Sequence, residues 1–540
     1  MGWRARLWRE LPLIIGLLLA LGFLLHPGWV RFGYPHGADW DSYLGSAAHL
    51  WIDPTAFRFN EWRQPLYPWL VGLLGAGGSY VLAAQVLALV SSVGTVLGAG
   101  LMARALAAPW VAGLAAVSTA LLSVVVDGSW WVNSYPLVGA LTALALAAAT
   151  ACARWPRVSL AAVAGGLGGL CLAVDPRGMP IAVVVPLLCA LGPGVVQRRG
   201  LLAALAVVGI AGGWGLDHGL QATYGLEMRP MQSQLSMQHN ESRGPEAPMD
   251  GATVAESRAC VETVGLDLGF SALTSDCARQ RLALNQRNLR KHSHLPPVLP
   301  AVLLLGLCMI PAGWGRRSSL VLALVYLPSV AALLLGMAWV PYVDRYLLPI
   351  AALLGCLGPV ALARLGGLLV RLLPAQRWLT LVGPGLAVLW VGWVFPGVHP
   401  SVLLDPVQHI IRRKGELPAP VDARQYLADW AVDTLGPDDL LLDCAELHLE
   451  ILLLPHSLPL WDAPPHDKLC RERMKSPPPV DGELYLVTVH QRGWKQDPQL
   501  PKPELIEARG WDELPLDIEI DPDTHAGRQA SWLRRWVWGR

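Results

Sequence analysis

Long apolar runs, separated by short polar segments, occupy most of the first 396 residues. An α-helix needs about 18–20 consecutive apolar residues to cross a bilayer, and the runs have that length. We therefore predict eleven membrane spans, at residues 11–30, 81–102, 109–126, 135–153, 158–174, 178–194, 200–217, 297–315, 318–340, 346–363 and 378–396. This pattern is typical of an α-helical polytopic membrane protein.

The arginines between these spans predict the orientation. Alternate segments, beginning with the N-terminus, contain Arg4, Arg6, Arg9, Arg104, Arg154, Arg157, Arg198, Arg199, Arg316, Arg317, Arg364, Arg371 and Arg377. The short loops on the other side contain Arg31, Arg58, Arg63, Arg177 and Arg345. An excess of cationic residues marks the cytoplasmic side, so we expect a cytoplasmic N-terminus, and the odd span count puts the C-terminus outside. No small-residue cleavage site follows the first run, which predicts a retained first helix.

Acidic residues have the opposite distribution. The outer loops contain Asp39, Asp41, Asp53, Glu61, Asp127, Asp175 and Asp344, whereas Glu10 is the one acid of the inner segments. Acids contribute little to topology, so this asymmetry needs another cause. Either the outer face is simply well solvated, or it carries chemistry.

Two outer loops are long. The loop 31–80 contains the apolar stretch 65–76, which is too short to span a bilayer and predicts an interfacial or re-entrant helix. The loop 218–296 is polar and includes a predicted helix at 276–292.

The C-terminal tail, residues 397–540, has a different pattern from the membrane part, 1–396. Residues 421–436 have helical spacing, and residues 439–444 and 483–489 are short apolar runs typical of buried strands. The tail therefore predicts a small α/β domain outside the membrane.

Composition and charge narrow the class further. Hydrophobic residues make up 53% of the chain and charged residues 15%, which agrees with a membrane protein. The net charge of +1 and the lack of a basic patch argue against a nucleic-acid partner.

The nine cysteines follow the predicted topology. Five lie in spans, and the outer segments contain two pairs, Cys260 with Cys277 and Cys444 with Cys470. Even pairs in an oxidising compartment predict two disulfides, although unrelated free thiols are an alternative. The sequence has no C-x-x-C pair, which argues against a zinc site of that type.

One outer motif carries a family resemblance. Asp39, Tyr43 and Ala47, followed by the segment Arg-Gln-Pro-Leu-Tyr at 63–67, form a pattern in the first outer loop. It resembles the first outer loop of the GT-C integral-membrane glycosyltransferases. The branch most similar in pattern contains the protein O-mannosyltransferases and the lipid A aminoarabinose transferases.

The resemblance covers residues 1–396 and is not complete. Gln64 replaces the usual first proline and Trp40 replaces a common second acid. Two later stretches, AVDPRGMP at 173–180 and VDRYLLPI at 343–350, are similar to family features. No motif of the tail can be carried over.

The resemblance implies chemistry at the outer membrane edge. Such enzymes use a sugar linked to a polyprenyl phosphate or diphosphate, and an acceptor group attacks the anomeric carbon. A carboxylate would accept the proton of the attacking group. The family spacing to Tyr43 favours Asp39 as this general base, with Asp41 second. Either acid could instead be a solvated loop residue or a helix N-cap.

Arginines would hold the leaving phosphate, because the planar guanidinium suits phosphate oxygens. Arg345 and Arg63 are the first candidates and Arg177 the third. Arg345 could instead pair locally or anchor the next span, Arg63 could be an exposed loop residue, and Arg177 could pair with Asp175. Tyr43 and Tyr67 would line the site, or belong to the ordinary membrane-interface aromatics.

The sequence does not assign a cofactor. Glu61, His239, His292 and His294 are the candidate ligands for a divalent metal. However, His292 and His294 would lie on opposite faces of a strand, or about 200° apart on a helix, which is poor geometry for one ion.

The sequence therefore predicts a multi-pass glycosyltransferase of a bacterial inner membrane. It would transfer a sugar from a polyprenyl-phosphate donor to a lipid, glycan or protein acceptor on the periplasmic side. The alternative is a non-catalytic protein that keeps the GT-C scaffold and binds or assembles lipid-linked glycans.

Overall fold

The computed structural model describes the chain in segments: residues 3–24, 40–52, 59–60, 63–75, 79–175, 178–191, 196–226, 348–372, 385, 389, 423–436, 438–444, 460–462, 475–476, 479–489, 503–514 and 533–538. The chain divides into two compact units, Met1–Pro406 and Val407–Arg540.

The described part of the first unit is helical. Its helices are α1 (Trp3–Leu24), α2 (Trp40–Trp51), α3 (Leu66–Gly75), α4 (Tyr80–Leu106), α5 (Pro109–Ala120), α6 (Ser123–Gly128), α7 (Tyr135–Arg154), α8 (Val158–Val174), α9 (Met179–Leu191), α10 (Val196–Tyr224) and α11 (Leu348–Leu372). Helix α3 confirms the short apolar helix predicted at 65–76.

Three of the described helices, α4, α7 and α10, are long and apolar enough to cross a membrane, by length and composition. The predicted total of eleven spans is therefore not established. The spans predicted at 297–315 and 318–340, and the helix predicted at 276–292, lie outside the described residues.

Small residues on α4, α5, α7 and α11 form one continuous core. Buried alanines such as Ala99, Ala116, Ala143 and Ala352 pack between these helices, together with larger side chains such as Leu146. Small side chains let helix backbones approach closely, which is how helices without a hydrophobic driving force between them associate in lipid.

Helices α8 and α10 pack through glycines. A Cβ atom placed on Gly169 would lie 2.6 Å from the carbonyl oxygen of Gly209, and one placed on Gly213 would overlap the backbone of Gly169. Both pairs, Gly165 with Gly169 and Gly209 with Gly213, have the small-xxx-small spacing of close helix contacts. This contact fixes α10 beside α8.

The second unit contains a five-stranded mixed sheet, counting the described strands. Its elements are α12 (Ala423–Thr434), β1 (Leu440–Cys444), β2 (Leu460–Asp462), β3 (Leu484–Val489), α13 (Pro503–Glu507), β4 (Trp511–Leu514) and β5 (Leu533–Trp538). The strand order is β2-β1-β3-β5-β4, with β1 parallel to β2 and β3, and β5 antiparallel to β3 and β4. The predicted helix at 421–436 and strands at 439–444 and 483–489 are confirmed.

Large apolar side chains from β1, β3, β4 and β5 build the core of this sheet. Leu442, Cys444, Leu486, Trp511 and Trp536 are buried together on one face. The indole nitrogen of Trp536 donates to the hydroxyl of Thr488 at 2.9 Å, which satisfies the polar end of a buried ring.

Candidate active site

Tyr43 connects three elements of the first unit. It lies on α2 with 2% of its surface exposed. Its hydroxyl is 2.8 Å from the hydroxyl of Ser134, which precedes α7. Its ring meets that of Tyr67 on α3 edge to face, with the centroids 5.1 Å apart. Tyr43 and Tyr67, both predicted to line the site, therefore lie in contact and buried.

Arg63 lies against the Tyr43 ring of this aromatic pair. Its guanidinium carbon is 5.0 Å from the centroid of the Tyr43 ring, within the range of a cation–π interaction. Its backbone N–H donates to the carbonyl of Asn60 at 2.9 Å, and the N–H of Asn60 donates to the hydroxyl of Ser46 on α2 at 3.0 Å. Arg63 is half-buried and lies in a loop.

Two buried donors near Tyr43 have no hydrogen-bond partner among the described residues. They are the hydroxyl of Tyr67, with 1% of that residue exposed, and the side-chain nitrogen of Asn133. Asn133 is adjacent to Ser134, and its side-chain oxygen accepts from the N–H of Tyr135 at 3.1 Å. Unpaired buried donors are costly, so these two groups suit a ligand that supplies oxygen acceptors.

Burial keeps the Tyr67 hydroxyl in its donor form. Burial raises the pKa of Tyr67 well above the ordinary tyrosine value, and the neighbouring Tyr43 raises it further. The phenol therefore stays protonated at physiological pH and can donate a hydrogen bond.

Asp217 belongs to the same region and was missed by sequence reasoning. It lies within α10 and is 6% exposed. Its Oδ2 accepts from the side-chain nitrogen of Gln221 at 2.8 Å. The amide nitrogen of Gln64, in the orientation that allows it to donate, is 3.1 Å from both carboxylate oxygens. Asp217 thus contacts the segment that carries Arg63.

A signal for Asp217 was available in part. The apolar pattern ends near residue 217 and predicts the end of a span there, although the helix continues to Tyr224. An ionisable residue within an apolar helix is by itself a candidate functional residue. Its contact with Gln64, however, joins residues far apart in the sequence, and no local pattern predicts it.

Tryptophan contacts attach α3 to its neighbours. The indole nitrogen of Trp69 donates to the hydroxyl of Tyr224 on α10 at 3.2 Å. The indole nitrogen of Trp51 on α2 donates to the carbonyl of Trp69 at 3.1 Å. Helices α2, α3 and α10 therefore meet around residues 63–69.

The other predicted site residues are not all described. Asp39, Arg177 and Arg345 lie outside the described residues, and Asp41 is described through its backbone, in the first turn of α2. Asp175, the suggested partner of Arg177, is buried after the end of α8. The roles of these residues stay predictions.

The cysteine predictions are tested in one place. Cys444 is disulfide-bonded, and the other described cysteines, Cys152, Cys171, Cys189 and Cys356, are free. Its partner therefore lies outside the described residues. The pairings of Cys444 with Cys470 and of Cys260 with Cys277 stay predictions. In the described part of the chain, no group of three or more His, Cys, Asp or Glu side chains could hold a metal ion.

No protein-family model and no curated protein matches the chain. Solved structures do match. ArnT from Cupriavidus metallidurans bound to undecaprenyl phosphate is 13% identical, with a TM-score of 0.49, and the match covers 99% of this chain and 98% of that chain. The archaeal oligosaccharyltransferase AglB from Archaeoglobus fulgidus, in complex with an inhibitory peptide and a dolichol-phosphate, is 12% identical, with a TM-score of 0.46.

The AglB match covers 73% of this chain, which spans 56% of the length of AglB. The chain thus has a structural match, at low identity, to GT-C membrane glycosyltransferases, and with ArnT the match extends over nearly the full chain. This is the resemblance that the sequence motifs predicted.

Proposed function

We propose that the protein is a GT-C-type glycosyltransferase of a bacterial inner membrane. It moves a sugar from a polyprenyl-phosphate-linked donor to a lipid, glycan or protein acceptor at the periplasmic face. The observation that carries the proposal is the position of Arg63, held over the Tyr43 ring beside the buried Tyr67. The three residues belong to the predicted outer loop 31–80, where the resemblance implies that the reaction occurs.

The donor phosphate binds at Arg63. A half-buried guanidinium makes stronger hydrogen bonds to phosphate oxygens than an exposed one, because less water competes for it. The hydroxyl of Tyr67 and the side-chain nitrogen of Asn133, which have no hydrogen-bond partner among the described residues, can supply further hydrogen bonds to oxygen. Arg177 and Arg345, from other outer loops, complete the cationic end of the site.

The transfer is a substitution at the anomeric carbon of the donor sugar. An acceptor hydroxyl or amine attacks this carbon, and Asp39 accepts the proton that the attacking group loses, with Asp41 as the second candidate. The bond between the anomeric carbon and the phosphate oxygen breaks, and the phosphate leaves with the electron pair. The arginines stabilise the charge that develops on this oxygen.

Lipid binding by the purified protein tests the site. Undecaprenyl phosphate, the lipid bound in the ArnT structure, is the probe, and its affinity is measured in detergent by a thermal-shift titration. Arg63→Ala should raise the Kd by about tenfold or more, since a hydrogen bond to a charged group is lost. The matched control is Arg198→Ala, which removes an exposed arginine that donates to the carbonyl of Pro156. Equal effects of both changes, or none from Arg63→Ala, would remove the proposed site.

Cell-envelope chemistry separates the enzyme from the non-catalytic scaffold. A deletion strain is complemented with the wild-type gene or the Arg63→Ala variant, and its glycolipids and glycoproteins are compared by mass spectrometry. An enzyme predicts a glycan modification that the wild type restores and the variant does not. A second assay gives the purified protein a polyprenyl-phosphate donor with a labelled sugar. A non-catalytic scaffold should bind the lipid in this assay but form no glycan product.

A further inference from the structure

We infer that Asp217 is a positioning residue of the phosphate site: through Gln64 it fixes the segment that carries Arg63. The inference rests on the proposed function, because it concerns the same arginine. It adds a residue from α10, a helix to which neither the motifs nor the resemblance assigned a role in the site.

The contacts of Asp217 divide into two kinds. Gln221 lies four residues later in the same helix, so its bond to Oδ2 orients the carboxylate without joining it to another element. Gln64 lies before α3, and its amide nitrogen is 3.1 Å from both oxygens of Asp217. The Gln64 contact therefore joins α10 to the first outer loop.

The position of Gln64 makes this contact matter for Arg63. Residues 63–65 belong to neither a helix nor a strand. On one side the N–H of Arg63 donates to the carbonyl of Asn60, and on the other side α3 begins at Leu66. An arginine side chain loses rotamer entropy when it is fixed on a phosphate, and a loose backbone beneath it would add to that loss and weaken phosphate binding.

The burial of the Asp217 carboxylate also has to be explained. A buried carboxylate is costly unless its oxygens accept hydrogen bonds, and both oxygens of Asp217 face amide donors. Bonds to an ionised acceptor are stronger than those between neutral groups. The arrangement thus gives a firmer attachment of Gln64 than a neutral side chain would give.

A second attachment keeps α3 in place without Asp217. The indole of Trp69 donates to Tyr224, further along both helices. A change at Asp217 should therefore loosen residues 63–65 and leave α3 docked on α10.

A double-mutant cycle on the full-length protein in detergent tests the inference, with undecaprenyl phosphate as the probe. Asp217→Asn keeps the size of the side chain and replaces one acceptor oxygen by a nitrogen that cannot accept. It should raise the Kd by up to about tenfold, because the hydrogen bonds between Gln64 and a charged acceptor become weaker bonds between neutral groups. In the Arg63→Ala background the same change should have no further effect, because Asp217 acts through Arg63. The control is Thr223→Ala, which removes an exposed hydroxyl bonded to the carbonyl of Gly219 in the same helix.

Gln64→Ala breaks the same contact from the loop side and keeps the test valid if Asp217→Asn does not fold. It should weaken binding at least as much as Asp217→Asn. Normal affinity in both variants, or effects that add fully to that of Arg63→Ala, would overturn the inference alone. Unchanged binding in Arg63→Ala itself would overturn the proposed function, and the inference with it.

Discussion

Asp41 lies in the first turn of α2, which begins at Trp40. A carboxylate in the first turn of a helix interacts favourably with the free N–H groups there. This position favours a structural role for Asp41 and leaves Asp39 as the first candidate for the general base. Asp39 and Asp41 are two residues apart, so the variant of one acid is a suitable control for the variant of the other.

We predict that Asp39→Asn abolishes transfer and Asp41→Asn does not. Loss of a general base costs about 10²–10⁴-fold in rate, whereas loss of a first-turn carboxylate costs about 0.3–1 kcal/mol of stability. The measurement is the amount of glycan product in the complemented deletion strain, with protein levels checked by immunoblot. A normal product from Asp39→Asn and none from Asp41→Asn would reverse the assignment.

Tyr485 in the second unit gives a prediction on pH. Its hydroxyl donates to Glu483 at 2.6 Å. Burial raises the pKa of Tyr485 most, and the hydrogen bond and charge of Glu483, with the charge of Asp439, raise it further. The protonated phenol is thus favoured in the folded state. Its contribution to stability is complete below the unfolded tyrosine pKa of about 10 and is lost as the pH rises from there through the higher folded pKa.

The melting temperature of the wild type should therefore fall more steeply above about pH 10 than that of Tyr485→Phe, which has no proton to lose. Unfolding is followed by the fluorescence of the purified protein between pH 8 and about pH 11. The second variant, Glu483→Gln, should have an intermediate slope, because burial remains while the negative charge is removed. Parallel curves for the wild type and Tyr485→Phe would contradict the assignment of this pKa.

At the scale of elements, apolar length was a good guide in the middle of the membrane part. Helices α7 and α8 (Tyr135–Arg154 and Val158–Val174) agree closely with the spans predicted at 135–153 and 158–174. Helix α10 continues beyond the end of its predicted span at residue 217. The prediction stops there because Asp217, Gln221 and Tyr224 interrupt the apolar pattern. Each of these polar residues has a partner in the folded chain that supports the additional turns.

The span predicted at 109–126 is instead two helices, α5 and α6. The N–H of Leu122 donates to the carbonyl of Thr119 at 3.2 Å, where the first helix ends. Neither proline nor glycine marks this interruption in the apolar run, so hydropathy alone could not reveal it. Nothing in the structure explains why the chain breaks here.

The glycine contact between α8 and α10 predicts that alanine substitutions at the adjacent positions Gly212 and Gly213 have different effects on stability. A Cβ on Gly213 would overlap the backbone of Gly169, whereas one on Gly212 would meet nothing within 4 Å. Gly213→Ala should therefore destabilise the protein by about 1–3 kcal/mol through overpacking. Gly212→Ala should be neutral or stabilise it by up to about 1 kcal/mol, because alanine is the better helix former.

Thermal unfolding of the two variants in the same detergent measures this difference. Because α10 carries Asp217, Gly213→Ala should also weaken binding of undecaprenyl phosphate while Gly212→Ala leaves it unchanged. Equal stability of the two variants would show that α8 and α10 do not pack through their glycines.

At the scale of the whole molecule, the order of the spans and outer segments could be predicted from the sequence, but the contacts between them could not. Tyr43 and Tyr67 were predicted as site residues from a local motif. Their contacts with Ser134, and that of Gln64 with Asp217, depend on how helices pack around one another. Such contacts have no periodic signature in a single sequence, because each joins two distant positions by a single pair of polar groups. The site could therefore be predicted only on the loop that carried the motif.

The last prediction for the whole molecule concerns the second unit and the side of the membrane on which it lies. The arginine bias and the odd number of predicted spans put it in the periplasm. The disulfide at Cys444 agrees with this, since disulfides persist in oxidising compartments. Alkaline phosphatase fused after Arg540 should then be active, because the enzyme itself needs periplasmic disulfides, and a fusion after Trp155, in a predicted inner loop, should be inactive.

The partner of Cys444 is tested in the same cells. If Cys470 is the partner, Cys470→Ser should leave Cys444 as a thiol that a maleimide reagent labels after denaturation without reductant. Cys260→Ser should leave Cys444 unlabelled and serve as the matched control, since Cys260 is predicted to pair with Cys277. Labelling of Cys444 in the Cys260→Ser variant would assign the disulfide to the other outer segment. An inactive fusion after Arg540, together with Cys444 labelled in the wild type, would put the second unit in the cytoplasm and contradict either the predicted orientation or the predicted odd number of spans.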